Sequence, residues 1–366
     1  MTAFLDRLRA LLTHAFPVPS GLWNYSADNT LAGDWLWVTP RNAWGTPYAS
    51  LPQPVVSEVR HGGYLLAPCA PTPQPNQRCY PLRSTMLRPD DAPLPLMVGH
   101  SDELLDVING ILRDGTVLVD LTTLARPSGR FADAIRNALT YLSHKPAAQR
   151  PVVRLLFSNS IIDLPPQRAA TILADLTSSM DPKEAVEIHV AVLRSAATSW
   201  NHAKIVAADG ATALVGGHNL GELDYLDTNP CCDLSMRIAG TAAVHAHDYA
   251  DFMWRDVARM HGTTVWGAID WFSTASYRYD AKHGRCTITD GGLPAPELYT
   301  TAKARFAPPA APGAVPVIAI GRKAALRPTA QVPSDAGYFD HGGEPADRAL
   351  VWLVDQAEHT VRISQQ

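Results

Sequence analysis

Two rhythms of apolar and polar residues alternate along this chain, and where they change they mark its parts. Between about Leu96 and Ala258, short apolar runs take turns with stretches whose apolar residues recur every three or four positions. The runs Thr116–Leu124, Val152–Phe157, Ala185–Leu193, Lys204–Ala208, Ala211–Val215 and Asp233–Ile238 are predicted strands, since short apolar runs bounded by turn residues suit a buried sheet. The longer period predicts helices over Glu103–Leu112 with Ser101 as N-cap, over Phe131–Leu142, and over Thr241–Val257. A further helix runs to about Leu176 with Pro165 and Pro166 in its first turn, where proline loses no needed donor. Asp209-Gly210, set between two apolar runs, signals a tight hairpin. Strands and helices in this alternation predict an α/β sandwich, a mixed sheet flanked by helices.

The flanks read differently. Residues 1–95 form a Trp- and Pro-rich N-terminal region. It opens with a short amphipathic helix within Met1–Pro19, interrupted by charges that a secretory signal would lack. Trp23, Trp35, Trp37 and Trp44 are expected to form a packing cluster, and the eight prolines of Pro68–Pro95 disfavour long helices. Residues 259–343 read as a partly ordered connector, with a proline run at Pro308–Pro316 and a strand at Val317–Ile320. Residues 344–366 repeat an earlier order. Ala346–Ser364 predicts a helix and then the start of a strand, as Asp102–Leu121 does, each strand opening on Thr-Val. That match is expected to mark the opening of a second, truncated repeat.

Composition narrows the function classes. With 31 basic against 35 acidic side chains, the net charge of −4 argues against a generic nucleic-acid binder. No apolar stretch approaches the ~20 residues of a membrane-spanning helix. The five cysteines include an adjacent pair, Cys231-Cys232, and a lone Cys286, which gives neither a disulfide framework nor a zinc pattern. Cys69 and Cys79 bracket a proline-rich loop and can pair only in an oxidising compartment, so a reducing cytoplasm is the simpler expectation for the place of synthesis. His245 and His247 with Asp248 look like metal ligands on paper. Two residues apart on a predicted helix, the histidines point to different sides, which favours surface or half-buried positions. Ser158-Asn159-Ser160, after a strand end, reads equally as ordinary loop or as the mouth of a site.

One stretch carries chemistry. Residues 202–219 place His202 and Lys204 two apart on a strand, so both project from one face. Asp209 follows at the turn. Gly216-Gly217 end the return strand, where a missing Cβ lets the backbone pass close to a ligand, and Asn219 comes back to the level of His202.

This H-x-K-x4-D-x6-G-G-x-N arrangement resembles the phospholipase D superfamily, over about 160 residues from Asp102 to Val257. The resemblance implies that His202 is the nucleophile attacking a phosphodiester phosphorus, giving a phosphohistidine. Imidazole is nucleophilic near neutral pH, and a covalent step divides one hard displacement into two easier ones. It implies that Lys204 and Asn219 hold the non-bridging phosphate oxygens. Asp233 stands where the family places the acid that orients the imidazole. Asp209 is expected to tie the turn, and Gly216, Gly217 and His218 to lie against substrate. No metal or other cofactor is implied.

Such chemistry needs a second histidine to protonate the leaving oxygen. None of His189, His283, His341 and His359 is followed by a lysine at the right place, so the chain supplies half of a site. The expected partner is a missing C-terminal half carrying a second motif, with a homodimer as the alternative. Gly-Gly-His-Asn-Leu with Asp224-Tyr225 resembles bacterial two-motif lipases. The expected activity is therefore hydrolysis of glycerophospholipid head groups at a membrane surface, without nucleic acid. Export by a signal-independent secretion system, as an effector lipase, is a further expectation. Alternatives are a phosphatidyltransferase making cardiolipin or phosphatidylserine, a nuclease, or a catalytically dead binding module.

Overall fold

A ten-stranded mixed sheet organises the molecule. The computed structural model describes residues 2–16, 22–31, 36–38, 59–61, 64–66, 98–99, 101–158, 167–184, 186–193, 201–225, 233–260, 272–307, 313–322 and 345–357. The first elements are α1 (Thr2–Ala15), β1 (Trp23–Asn29), β2 (Leu36–Val38), β3 (Val59–His61), β4 (Tyr64–Leu66) and β5 (Val98–Gly99). The predicted sandwich follows: α2 (Ser101–Asp114), β6 (Leu118–Thr122), α3 (Gly129–Ser143), β7 (Val152–Phe157), α4 (Ala169–Leu176) and β8 (Glu187–Leu193). Then come β9 (Ile205–Ala208), β10 (Thr212–Gly216), α5 (Glu222–Tyr225), β11 (Leu234–Ala239) and α6 (Thr241–Met260). The last are β12 (Phe272–Asp280), β13 (Arg285–Asp290), α7 (Leu298–Lys303), β14 (Val315–Ile320) and α8 (Pro345–Asp355).

In the sheet the strands run β13-β12-β8-β7-β6-β9-β10-β11-β2-β5. The central β6, β7 and β8 are parallel, and β9, β10 and β11 continue antiparallel from the β6 edge. Parallel strands are covered on both faces, which is why these runs are mostly apolar on both faces rather than alternating. Val153, Leu155 and Phe157 pack with Leu105, Ile108, Phe131, Ile135 and Leu173 of α2, α3 and α4. Leu156, offset by one, packs with Ala191, Leu193, Met253 and Trp254 on the α6 side. The α/β sandwich is the one its periodicity predicts.

Polar groups lock α6 to this second face. Buried Arg154 donates from Nε and Nη2 to the two carboxylate oxygens of Asp120 at 2.7 and 2.9 Å, and from Nη1 to Asp251 at 2.9 Å. His247 Nδ1 lies 2.6 Å from Asp120 Oδ2 with its ring fully buried. The surface or half-buried expectation therefore fails for His247, because Asp120 at the sheet gives the imidazole a partner inside. Burial pushes the Asp120 carboxyl up, but Arg154 and His247 outweigh it and hold its pKa at about 2.

The sheet extends past the part that the sequence sets off. Residues 272–290, read as connector, form the β12–β13 hairpin, and β12 pairs antiparallel with β8. β14 pairs instead with β1, bringing Trp23 opposite Ile320 in a two-stranded ribbon. Short period-two runs inside a Trp- and Tyr-bearing stretch hide such pairings, because the partner strand is far away in sequence. At the N-terminus the amphipathic helix is present: Leu8 and Leu12 of α1 bury against Ala349 of α8. Trp35, Trp44, Cys69, Cys79, Cys231, Cys232, Asn159, Ser160, Pro165, Pro166 and the strand expected after α8 lie outside the described residues.

Candidate active site

The site forms at the carboxyl ends of the parallel strands, where β9 enters antiparallel beside β6. Such a reversal of strand direction opens a crevice that side chains from several elements can share. His202 and Lys204 sit on the extended lead into β9, which begins at Ile205. A residue that the motif does not include anchors that lead. Buried Asn201 donates from Nδ2 to the carbonyls of Thr123 and Leu156 at 3.3 and 3.4 Å, and its Oδ1 accepts from the Ala203 amide at 3.2 Å. Thr122 Oγ1 adds a bond to the Ala203 carbonyl at 3.0 Å. The backbone on either side of His202 is thus tied to the ends of two parallel strands. An asparagine directly before the histidine was the only signal in the sequence.

His202 is exposed, while Lys204 is 8% exposed and donates from Nζ to the His202 carbonyl at 2.8 Å. Both line one cavity. Partial burial lowers the His202 pKa, Lys204 lowers it further, and Asp233 opposes both. Burial also brings Lys204 down to about 8, again against Asp233. An imidazole kept neutral beside a cation is disposed to attack an anionic phosphodiester.

Asp209 is the turn residue expected. Its φ is +55° and that of Gly210 +66°, as a tight hairpin between right-twisted strands requires. Oδ2 accepts from the amide and hydroxyl of Thr116 at 2.7 Å each, and Oδ1 from the amides of Val117 and Leu118 at 2.9 Å. The carboxylate staples the hairpin to the start of β6, at the end of the sheet away from His202.

Gly216 and Gly217 are explained by a neighbouring strand. A Cβ on Gly216 would run into the Leu234 carbonyl and Ser235, and one on Gly217 into Asp233 Oδ1. Their missing side chains admit Asp233 to the site. His218, expected against substrate, is instead 2% exposed, with Nδ1 2.7 Å from Ser235 Oγ and its ring centroid 4.7 Å from that of Tyr225. Burial pushes its pKa down to about 3, so it stays neutral and cross-links the turn after β10 to β11. His218 lies past the end of β10 at Gly216, and Ser235 of β11 gives its ring a partner inside the fold.

Tyr225 is the second residue outside the motif. Its hydroxyl donates to Asp233 Oδ2 at 2.6 Å and accepts from the Asn219 amide at 2.9 Å. It links the two ends of the segment and fixes the Asp233 carboxylate. Asn219 Oδ1 is buried without a hydrogen-bond partner among the described residues, so its amide has bonding capacity to spare. His202 and Lys204 are held by one set of hydrogen bonds and Asn219 and Asp233 by another, and the Asp233 charge acts on both members of the first pair. Of the histidines that resembled metal ligands, His245 lines the cavity and His247 faces Asp120. Among the described residues no group of three His, Cys, Asp or Glu side chains is placed to hold a metal ion.

No family model matches the chain. Phospholipase D of Streptomyces antibioticus is 30% identical to it over 223 residues, 60% of this chain and 36% of that protein. Over that stretch the chain is similar to a phospholipase D. It spans about a third of the length of the curated relative it matches. Among solved structures, NucT from Helicobacter pylori aligns at 12% identity with a TM-score of 0.30, over 42% of this chain and 88% of that one. The phospholipase D family member Nuc from Salmonella typhimurium aligns at 7% identity with a TM-score of 0.28, over 40% and 82%. Phosphatidylserine synthase of Haemophilus influenzae aligns at 12% identity with a TM-score of 0.30, over 42% and 36%.

Proposed function

We propose that this protein cleaves glycerophospholipids at the head-group side of phosphorus, through a phosphohistidine on His202. The observation that carries the reading is the grouping of His202 and Lys204 on one cavity, with Asp233 acting on both and fixed by Tyr225. In the first step the imidazole nitrogen attacks phosphorus and the head-group oxygen leaves with its bond electrons. Lys204 Nζ and the side-chain Nδ2 of Asn219 donate to the non-bridging oxygens, which gather charge as the transition state forms. Asp233 favours the imidazole tautomer whose free nitrogen attacks, and stabilises its positive charge afterwards. Water then attacks the phosphohistidine, giving phosphatidic acid and free His202.

Protonating the departing head-group oxygen requires an acid on the opposite side of phosphorus from His202. The chain holds a single H-x-K-x4-D motif, so the acid belongs to a second motif, on a longer chain or on a second copy. An exported effector role is consistent with lipid degradation and is part of the proposal. Transfer to an alcohol instead of water, as in phosphatidylserine or cardiolipin synthesis, uses the same intermediate. Both pathways are compared by head-group release from mixed phospholipid vesicles, with and without a short primary alcohol. Phosphatidic acid alone indicates a hydrolase, and a phosphatidyl alcohol indicates a transferase. Cleavage of DNA with intact lipid would reject the lipid reading, and no turnover of either, with the native partner present, would support a binding module.

A further inference from the structure

The cavity that His202 and Lys204 border is far larger than a phosphate needs. It encloses about 650 Å3, within the roughly 300–1,000 Å3 of pockets that bury small ligands. Its floor is the β9–β11 sheet, one wall is α6, and the other is the β1–β14 ribbon. Ile238, Ala246, Met253, Val317 and Ala319 give the cavity an aliphatic stretch, and Asn24, Tyr249 and Arg322 also border it. Alanines at 246 and 319 are part of what leaves the space open. The ribbon strand β14 reads Val-Pro-Val-Ile-Ala-Ile, yet every one of its residues is only half-buried. Ile318 and Ile320 pack beside α1 and α8, and Val317 and Ala319 leave apolar surface on the cavity. Among the polar groups on the wall, one imidazole stands out. His245 has Nδ1 3.5 Å from Asp248 Oδ2, while its Nε2 is buried without a hydrogen-bond partner among the described residues. A buried imidazole nitrogen without a partner is costly unless something arrives to meet it.

We propose that this cavity binds one unbranched aliphatic chain of an amphiphile whose phosphate sits at Lys204, with His245 Nε2 meeting a polar atom near the head of that chain. The proposal rests on the lipid reading for the position of the phosphate. Three features select an amphiphile: the Lys204 charge beside His202, an aliphatic stretch, and an imidazole nitrogen on the wall with no partner among the described residues. A sugar or nucleotide would leave the aliphatic walls uncovered and its own hydroxyls unpaired. The occupant also explains why a strand so distant in sequence as β14 is recruited beside the motif.

The test is binding of octyl-, nonyl- and decylphosphocholine below their micelle concentrations, followed by titration calorimetry. Burial of each added methylene in the cavity tightens binding about fourfold. Ala319→Trp fills the cavity from a half-buried ribbon position, and Ala246→Leu fills it from α6. In whichever variant keeps the parent's circular dichroism, the affinity is expected to become independent of chain length. His202→Ala is expected to keep the fourfold steps, since chain binding does not need the nucleophile. Affinity independent of chain length in the parent protein overturns the proposal. So do unchanged steps in a folded cavity variant, and so does sedimentation showing that a second copy closes the cavity in the parent. The two readings fail separately. Chain-length steps without turnover of any phosphodiester reject the proposed function alone, and lipid turnover without such steps rejects the cavity alone.

Discussion

Tyr225 holds Asp233 by a 2.6 Å hydrogen bond from its hydroxyl to Oδ2, and receives the Asn219 amide on the same oxygen. The hydroxyl spans the two ends of the motif segment without belonging to the motif. Tyr225→Phe removes only that oxygen. We expect a fall in kcat of roughly ten- to hundredfold, typical of losing a partner that orients a catalytic group. KM should change little, because the ring that remains still packs against the Phe131 and His218 rings that flank the position. Steady-state kinetics beside a melting curve distinguish this from general loosening, which would lower melting temperature and raise KM together.

The charges around His202 have readable signs. Lys204 lowers its pKa and Asp233 raises it. NMR titration of the His202 ring should therefore give a higher pKa in Lys204→Met and a lower one in Asp233→Asn than in the parent. A neutral imidazole in the parent persists below the ordinary histidine value, so the acidic limb of activity lies below pH 6.5. These titrations need no turnover.

Lys204, brought by burial to about 8, loses its proton in an accessible range. Binding of inorganic phosphate should weaken as pH rises through about 8, and Lys204→Arg, which stays charged, should abolish that limb. Calorimetry at pH values on either side of that midpoint measures it.

The Asp120–Arg154–His247 network is a stability device away from the reacting atoms. The carboxyl is held at about 2 in the fold against 3.8 outside it, so its contribution is complete above pH 3.8 and is lost as pH falls towards 2. Asp120→Ala leaves Arg154 buried without its main partner, which costs about 3–5 kcal/mol. Acid and urea denaturation of both proteins test this, and the variant should lose the acid-sensitive step.

Asp209→Ala removes four accepted hydrogen bonds and leaves alanine at φ +55°. The expected cost is about 2–4 kcal/mol, from charge-assisted bonds and backbone strain together. Asp209→Gly relieves the strain and should recover part of it, as urea midpoints will show.

The sequence made the sandwich legible because apolar runs buried on both faces announce themselves. Val152–Phe157 is a strand over the residues that its pattern marks. The hairpin was legible from Asp209-Gly210, and the pairing of His202 with Lys204 on one cavity from their spacing. What stayed hidden depends on contacts between distant residues. Nothing local in Trp23–Asn29 and Val315–Ile320 says that they pair with each other. Gly217 looked like room for a ligand, and only the position of Asp233 shows what fills that room. His218 sits one residue from Asn219 in the motif, and only the position of β11 shows that it faces Ser235. Asn201 and Tyr225 act through backbone groups and a carboxylate that only the fold brings near them.

The central claim, that His202 forms the covalent bond, is tested most directly with a p-nitrophenyl phosphodiester. Its leaving group departs without protonation, so a second histidine is not needed for the first step. Rapid mixing followed by tandem mass spectrometry should give a burst of one p-nitrophenolate per chain and an acid-labile phosphoramidate on His202. His202→Ala should give neither. A burst that survives in His202→Ala, or an adduct mapped to another residue, would contradict the account.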